Sequence, residues 1–173
     1  MTMTEILPVD LSDVREIPGE IIDSVRQSVE VTFESISGSR PGFVESGGQD
    51  APMNGIIGHI TVFNSQHTLT LMVAIPRETA LSLSEVFCGM EIPFESDDMG
   101  DLVGEVSNIL AGEVAANAEQ VGFAGQSSLP TVTRGSDLKL FLPNKPPTAQ
   151  MRFEGSGGGF WVNLALCESR RRK

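Results

Sequence analysis

The chain has 173 residues, with 12 Lys and Arg against 23 Asp and Glu, for a net charge of −11. That length suits one compact domain with its own core, and 40% hydrophobic with 20% charged residues is the composition of an ordinary globular protein. The acidic balance argues against nucleic-acid phosphates and anionic membrane surfaces as partners, since both call for a basic face.

The stretch from Met1 to Asp10 is acidic and lacks a long apolar run, so it does not read as a signal peptide. No segment approaches the roughly 18 apolar residues of a membrane span, and the expected location is the cytoplasm. The spacing of Ile21, Ile22, Val25, Val29 and Phe33 predicts a first helix over Pro18 to Ile36, stopped by Gly38 and Pro41. Ser37 to Asn54 is rich in Gly, Ser and Pro, with a short strand at Gly42 to Glu45. Gly55 to Asn64 and Leu69 to Pro76 read as two strands of a hairpin turning at Asn64 to His67. Arg77 to Gly89 returns to helix, with Ala80, Leu83, Val86 and Phe87 on one side. A loop with Pro93 and the acids Glu95, Asp97 and Asp98 leads into a long helix from about Asp98 to Val121. The last third reads as strands at Ser127 to Thr133, Leu138 to Leu142, Gln150 to Glu154 and Gly159 to Cys167, the final two joined by a Gly-rich turn. This order predicts an α+β domain, a largely antiparallel sheet packed against helices. It shows no strong internal repeat and no linker, so 1–173 is taken as a single domain, with 1–14 and 169–173 expected to be flexible. Cys88 and Cys167 sit in apolar runs and are expected to be buried free thiols of a reducing compartment.

The long helix carries the functional signal. At about 100° per residue, Val106, Leu110, Val114, Asn117, Ala118 and Val121 fall within about 60° of Val103 and form the core stripe. Asp101, Glu105, Asn108, Gly112 and Glu119 fall on the opposite pole, where Glu105 and Asn108 are neighbours at i, i+3. Gly112, Ala115 and Ala116 leave this face bare, although a glycine inside a helix costs roughly 1 kcal/mol relative to alanine. Geometry alone leaves two readings: an Ala-rich helix with its polar residues turned to water, or a surface that lets another protein approach the helix backbone.

The run from Asp101 to Gly112, with Asp101, Glu105 and Asn108 in register and Pro130 some two dozen residues on, resembles the active-site helix of the CheC, CheX and FliY chemotaxis phosphatases. Gly104 and the following Ala111-Gly112 make it most similar to the CheX-like members, while Pro130 falls about one residue nearer than their usual spacing. The first helix does not repeat the pattern, which fits a single-site CheX-like chain rather than a two-site one. The resemblance implies a CheC/CheX-like fold, a homodimer joined through the sheets, and removal of phosphate from the aspartyl-phosphate of a CheY-like response regulator. It further implies that Asn108 orients the attacking water and that Glu105 pairs with the regulator's lysine. The chain then needs no cofactor of its own, because the partner supplies Mg²⁺. Asp101 either lies at the docking rim or favours the helix N-terminus electrostatically. Gly112, Ala115 and Ala116 would form the docking face. The alternative is a non-catalytic adaptor or scaffold that docks a phosphorylated regulator or a flagellar-switch component. An output or partner domain of another two-component protein is a third reading.

Other constellations are weaker. His59 and His67, the only histidines, lack companions at metal-ligand spacing. The acids from Glu95 to Asp101 lack the alternating ligands of a calcium loop. Gly155 to Gly159 precedes no helix, so it is not a phosphate cradle, and its Gly-Ser-Gly is a degenerate nucleophile motif without acid–base partners. No metal site is expected.

Overall fold

The computed structural model describes residues 9–11, 15–46, 53–139 and 146–169. The elements in chain order are α1 (Gly19–Ser37), β1 (Gly42–Ser46), β2 (Met53–Phe63), β3 (His67–Pro76), α2 (Arg77–Cys88), α3 (Asp97–Gln120), β4 (Gln126–Ser127), β5 (Thr131–Leu138), β6 (Thr148–Gly155) and β7 (Gly158–Glu168). The strands build one antiparallel sheet in the order β1-β6-β7-β3-β2, with β4 and β5 following one another along the free edge of β2. This is the α+β architecture, an antiparallel sheet packed against helices, that the pattern predicts.

One face of the sheet carries the helices. Ile56, Ile60 and Val62 of β2, alternate residues of β3 from Leu69 to Ile75, and Phe160, Val162 and Leu164 of β7 meet α1 and α3 there. The period of two along each strand sorts these apolar residues onto one side. The 3.6-residue period of α1 supplies Ile21, Val25, Val29 and Phe33 from above. Between the two long helices, Asn117 of the expected core stripe is only half-buried, and its amide donates to Ser28 Oγ at 2.9 Å. The opposite face of the sheet holds a smaller cluster of Met53, Ile57, Met72 and Ala74, with Leu138 and Trp161 against it.

The topology contains a repeat that the sequence does not display. α1-β1-β2-β3 and α3-β5-β6-β7 are two α-β-β-β units, and the sheet order is the same read from either side of the β7–β3 junction. The units interleave: β1 pairs with β6 of the other unit, and β5 pairs with β2.

Several expectations are corrected. The single strand expected over Ser127 to Thr133 is broken into β4 and β5. Val62 faces Ser127 and His59 faces Thr131, so Leu129 and Pro130 together oppose the single residue Ile60. This is a β-bulge, the place where a proline without an N–H is tolerated in a sheet. Of the strand expected at Leu138 to Leu142, Leu138 ends β5, and 140–142 lie outside the described residues. The chain ends expected to be flexible also lie largely outside them. Of the four apolar residues grouped on one side of α2, Ala80 and Leu83 are buried and Val86 and Phe87 are exposed. The buried stripe of α2 stops at Ser84, whose Oγ accepts from Ile92 N at 3.0 Å, so the returning chain covers that turn and leaves the last one bare. Cys88 ends that bare turn and Cys167 lies on the outer side of β7; both are free and exposed, not buried. None of the helices among the described residues is long and apolar enough to cross a membrane.

Candidate functional site

Helix α3 is fixed at both its start and its middle. Ser96 caps it, with Oγ accepting from Met99 N at 3.3 Å, and Asp97 and Asp98 place negative charge in the first turn, where the helix dipole favours it. Arg134 of β5 reaches across to donate to the carbonyls of Phe94 (2.8 Å) and Ser96. Arg77 pairs with Glu95 and lies over the Phe94 ring, 4.6 Å from its centroid. That hydrogen bond from Arg77 is the main reason the Glu95 carboxyl titrates below its ordinary range.

Further along, Ser107 is buried and its Oγ donates to Val103 O at 2.7 Å. A Cβ on Gly58 would stand 2.0 Å from that Oγ, so only glycine on β2 lets the helix settle this close. With Val103, Val106, Ser107 and Leu110 committed to the sheet, Asp101, Glu105 and Asn108 are turned outward, and all three are exposed. Neither Glu105 nor Asn108 is bonded to another side chain among the described residues.

An open depression runs along the groove between α3 and β5. Its lining includes Asp97, Asp101, Gly104, Glu105, Pro130 and Arg134. The motif residues Glu105 and Pro130, 25 positions apart in sequence, therefore border one hollow. Gly104 sits between them, where an added Cβ would be 3.7 Å from Val132 Cγ2, ordinary contact that a longer side chain would turn into a filled groove. Asn108 is not part of this lining; it stands on the next turn, exposed. Gly112 and Ala116 are exposed as expected, and a Cβ on Gly112 would meet nothing within 4 Å. Ala115 departs from the expectation: it is half-buried and packs on the core, because it shares the flank of Gly104 and Ala111 that leans over the sheet edge. Among the described residues, no three His, Cys, Asp or Glu side chains are grouped so as to hold a metal.

Sequence reasoning missed two residues here. Arg134 gave no signal, because its partners are backbone carbonyls 38 and 40 positions away. Leu129 gave a weak one, the Leu-Pro pair out of step with strand alternation, and its exposure follows from the bulge.

Fold and site together define a class: an α+β protein that offers an acid and an amide on consecutive turns of one exposed helix, beside a proline-bearing sheet edge. The profile of the family described as Chemotaxis phosphatase CheX matches residues 56–154, more than half of the chain, and the chain belongs to that family. No curated protein matches it in sequence. Among solved structures, it is similar to a CheC-like superfamily protein from Shewanella sp. PV-4, with a TM-score of 0.79 and 14% identity over 87% of this chain and 99% of the other. It is also similar to the chemotaxis protein CheX of Vibrio vulnificus, with a TM-score of 0.76 and 16% identity over 86% of this chain and 97% of the other. A third similar chain comes from the CheX–CheY–BeF3–Mg complex of Borrelia burgdorferi, with a TM-score of 0.70 and 18% identity over 84% of this chain and 97% of the other. At these identities the likeness is one of fold.

Proposed function

We propose that this chain hydrolyses the aspartyl-phosphate of a CheY-like response regulator, using Asn108 and Glu105. The observation that carries the reading is that α3 presents both side chains to solvent, unpaired among the described residues, with Pro130 of the family pattern bordering the same hollow as Glu105. An acyl phosphate is already activated, and the regulator's own Mg²⁺ and lysine neutralise charge on the phosphoryl oxygens. Positioning is the main thing left to supply. The Asn108 carboxamide holds a water in line with phosphorus. Water oxygen bonds to phosphorus, the bond from phosphorus to the carboxylate oxygen breaks, and the products are inorganic phosphate and the free aspartate. Glu105, one turn earlier, pairs with the regulator's lysine and so fixes the docked pose that keeps the amide in line. Asp101, at the rim of the hollow, adds negative charge facing the partner.

The test is phosphate release from regulators charged with a small phosphodonor. Asn108→Ala lowers turnover by about 100-fold or more, the scale on which a positioned water-handling group acts, with docking retained. Glu105→Ala raises KM as well. An Asn108→Ala protein that keeps near-full turnover overturns the assignment. Docking by the wild type without any phosphate release favours the adaptor reading instead.

A further inference from the structure

Leu129 is 85% exposed, more than any other large apolar side chain that stands out at the described surface, Met90 following at 66%. It is not on a loose tip. Its predecessor Ser128 is tied to β2 twice, N donating to Thr61 O at 2.8 Å and Oγ accepting from Thr61 N at 3.0 Å. Its successors are Pro130, which lines the hollow, and Thr131, which faces His59 in the ladder. The backbone is thus pinned on both sides, and the bulge turns the leucine out.

A lone exposed leucine is ordinary at a protein surface; its place distinguishes this one. β5 runs antiparallel to α3. Arg134 reaches the carbonyls just before the helix, Val132 meets Gly104, and Pro130 borders the hollow with Glu105. Continued by one residue, the chain carries Leu129 toward the turns that hold Asn108 and Gly112. The outward face of α3 itself is acidic or small, with Asp101, Glu105, Gly112 and Ala116 exposed.

We infer that Leu129 is the apolar anchor of the docking surface, its side chain entering an apolar recess of the receiver domain whose phosphorylated aspartate faces Asn108; this rests on the phosphatase reading above. Because the leucine is already held in place, docking removes its surface from water with little further loss of freedom. The contact is the same before and during phosphoryl transfer, so it acts on binding and not on the chemical step.

The experiment measures two quantities on the full chain: the Kd for receiver domains loaded with beryllofluoride, and KM and kcat for their phosphorylated forms. Leu129→Ala raises Kd and KM by about tenfold, the worth of most of a leucine side chain removed from water. Leu129→Asp raises them further. In both variants kcat stays within about twofold of wild type, as expected for uniform binding, and the melting temperature is unchanged. Met90→Asp, just past the C-cap of α2, serves as the control and leaves both constants alone. A Leu129→Asp protein with wild-type Kd and KM overturns the inference, and so does a loss confined to kcat. An Asn108→Ala protein that hydrolyses at the wild-type rate sinks the catalytic reading while the anchor stands. Failure of the wild type to bind any loaded receiver sinks both.

Discussion

Glu95 sits just before α3, and its bond to Arg77 gives the helix entry a measurable pH signature. Arg77 also covers the Phe94 ring, while Arg134 holds the carbonyls on either side of Glu95, so this loop is gripped by two arginines. The Glu95 carboxyl is held below its ordinary range chiefly by the Arg77 hydrogen bond. A folded-state pKa below the unfolded one means that the contribution is fully present above the unfolded carboxyl value, near about 4.3, and is lost as pH falls through the folded value. The stability gap between wild type and Glu95→Gln should therefore be constant at neutral pH and shrink in acid. Urea midpoints measured across that range check it; a gap that widens as pH falls would contradict the pairing. The pair is exposed, so the gap is small at any pH. At this scale the legible residues were those whose helical angle alone set their exposure. Asp101, Glu105, Asn108 and Gly112 follow from periodicity. Leu129, Arg134, Ala115 and the two cysteines do not, because a bulge, two distant carbonyls, a leaning flank, the bare end of α2 (for Cys88) and the outer side of β7 (for Cys167) decided their surroundings.

At the level of elements, α3 keeps a helix-weakening residue where a partner would come closest. Gly112 lies inside a 24-residue helix, has ordinary helical geometry, and has open space where a Cβ would project. Alanine there should stabilise the protein by about 1 kcal/mol through helix propensity alone. If the helix backbone is approached by a docked regulator, the added methyl should also raise KM. Thermal melting and steady-state kinetics on Gly112→Ala test both halves of the prediction, a higher melting temperature and a weaker encounter. A stabilised variant with unchanged KM would place the partner elsewhere on the helix. The helices and the two hairpins were readable because each buries a regular stripe. The edge of the sheet was not: β4 is two exposed residues, β5 mixes exposed with half-buried ones, and the register shift between them is set by pairing with β2, 60 and more positions away. Local propensity carries no information about such a pairing.

Across the whole molecule, the interleaving of two α-β-β-β units decides how the protein can come apart. The units share no visible sequence period because their common feature is strand order, which many sequences satisfy. Each lends its first strand to the other's hairpin, β1 to β6 and β5 to β2, and their last strands meet at the centre of the sheet, where β3 pairs with β7 from His67 to Ala74. The helices α1 and α3 cover this seam together, joined by the Asn117–Ser28 hydrogen bond. Separating the units would break the β1–β6, β2–β5 and β3–β7 pairings together with the short β2–β4 one, and strip the core from one face, so neither unit has a folded state to fall back on. The protein should unfold in one cooperative transition. Trp161, the single tryptophan, faces Ala74 across the seam on the side of the sheet away from the helices. Its fluorescence reports the seam, while far-UV circular dichroism reports the helices on the other face. At fixed protein concentration the two signals should follow the same denaturant curve. A tryptophan transition that precedes loss of helix would mean that the seam opens first and that the two units hold structure independently.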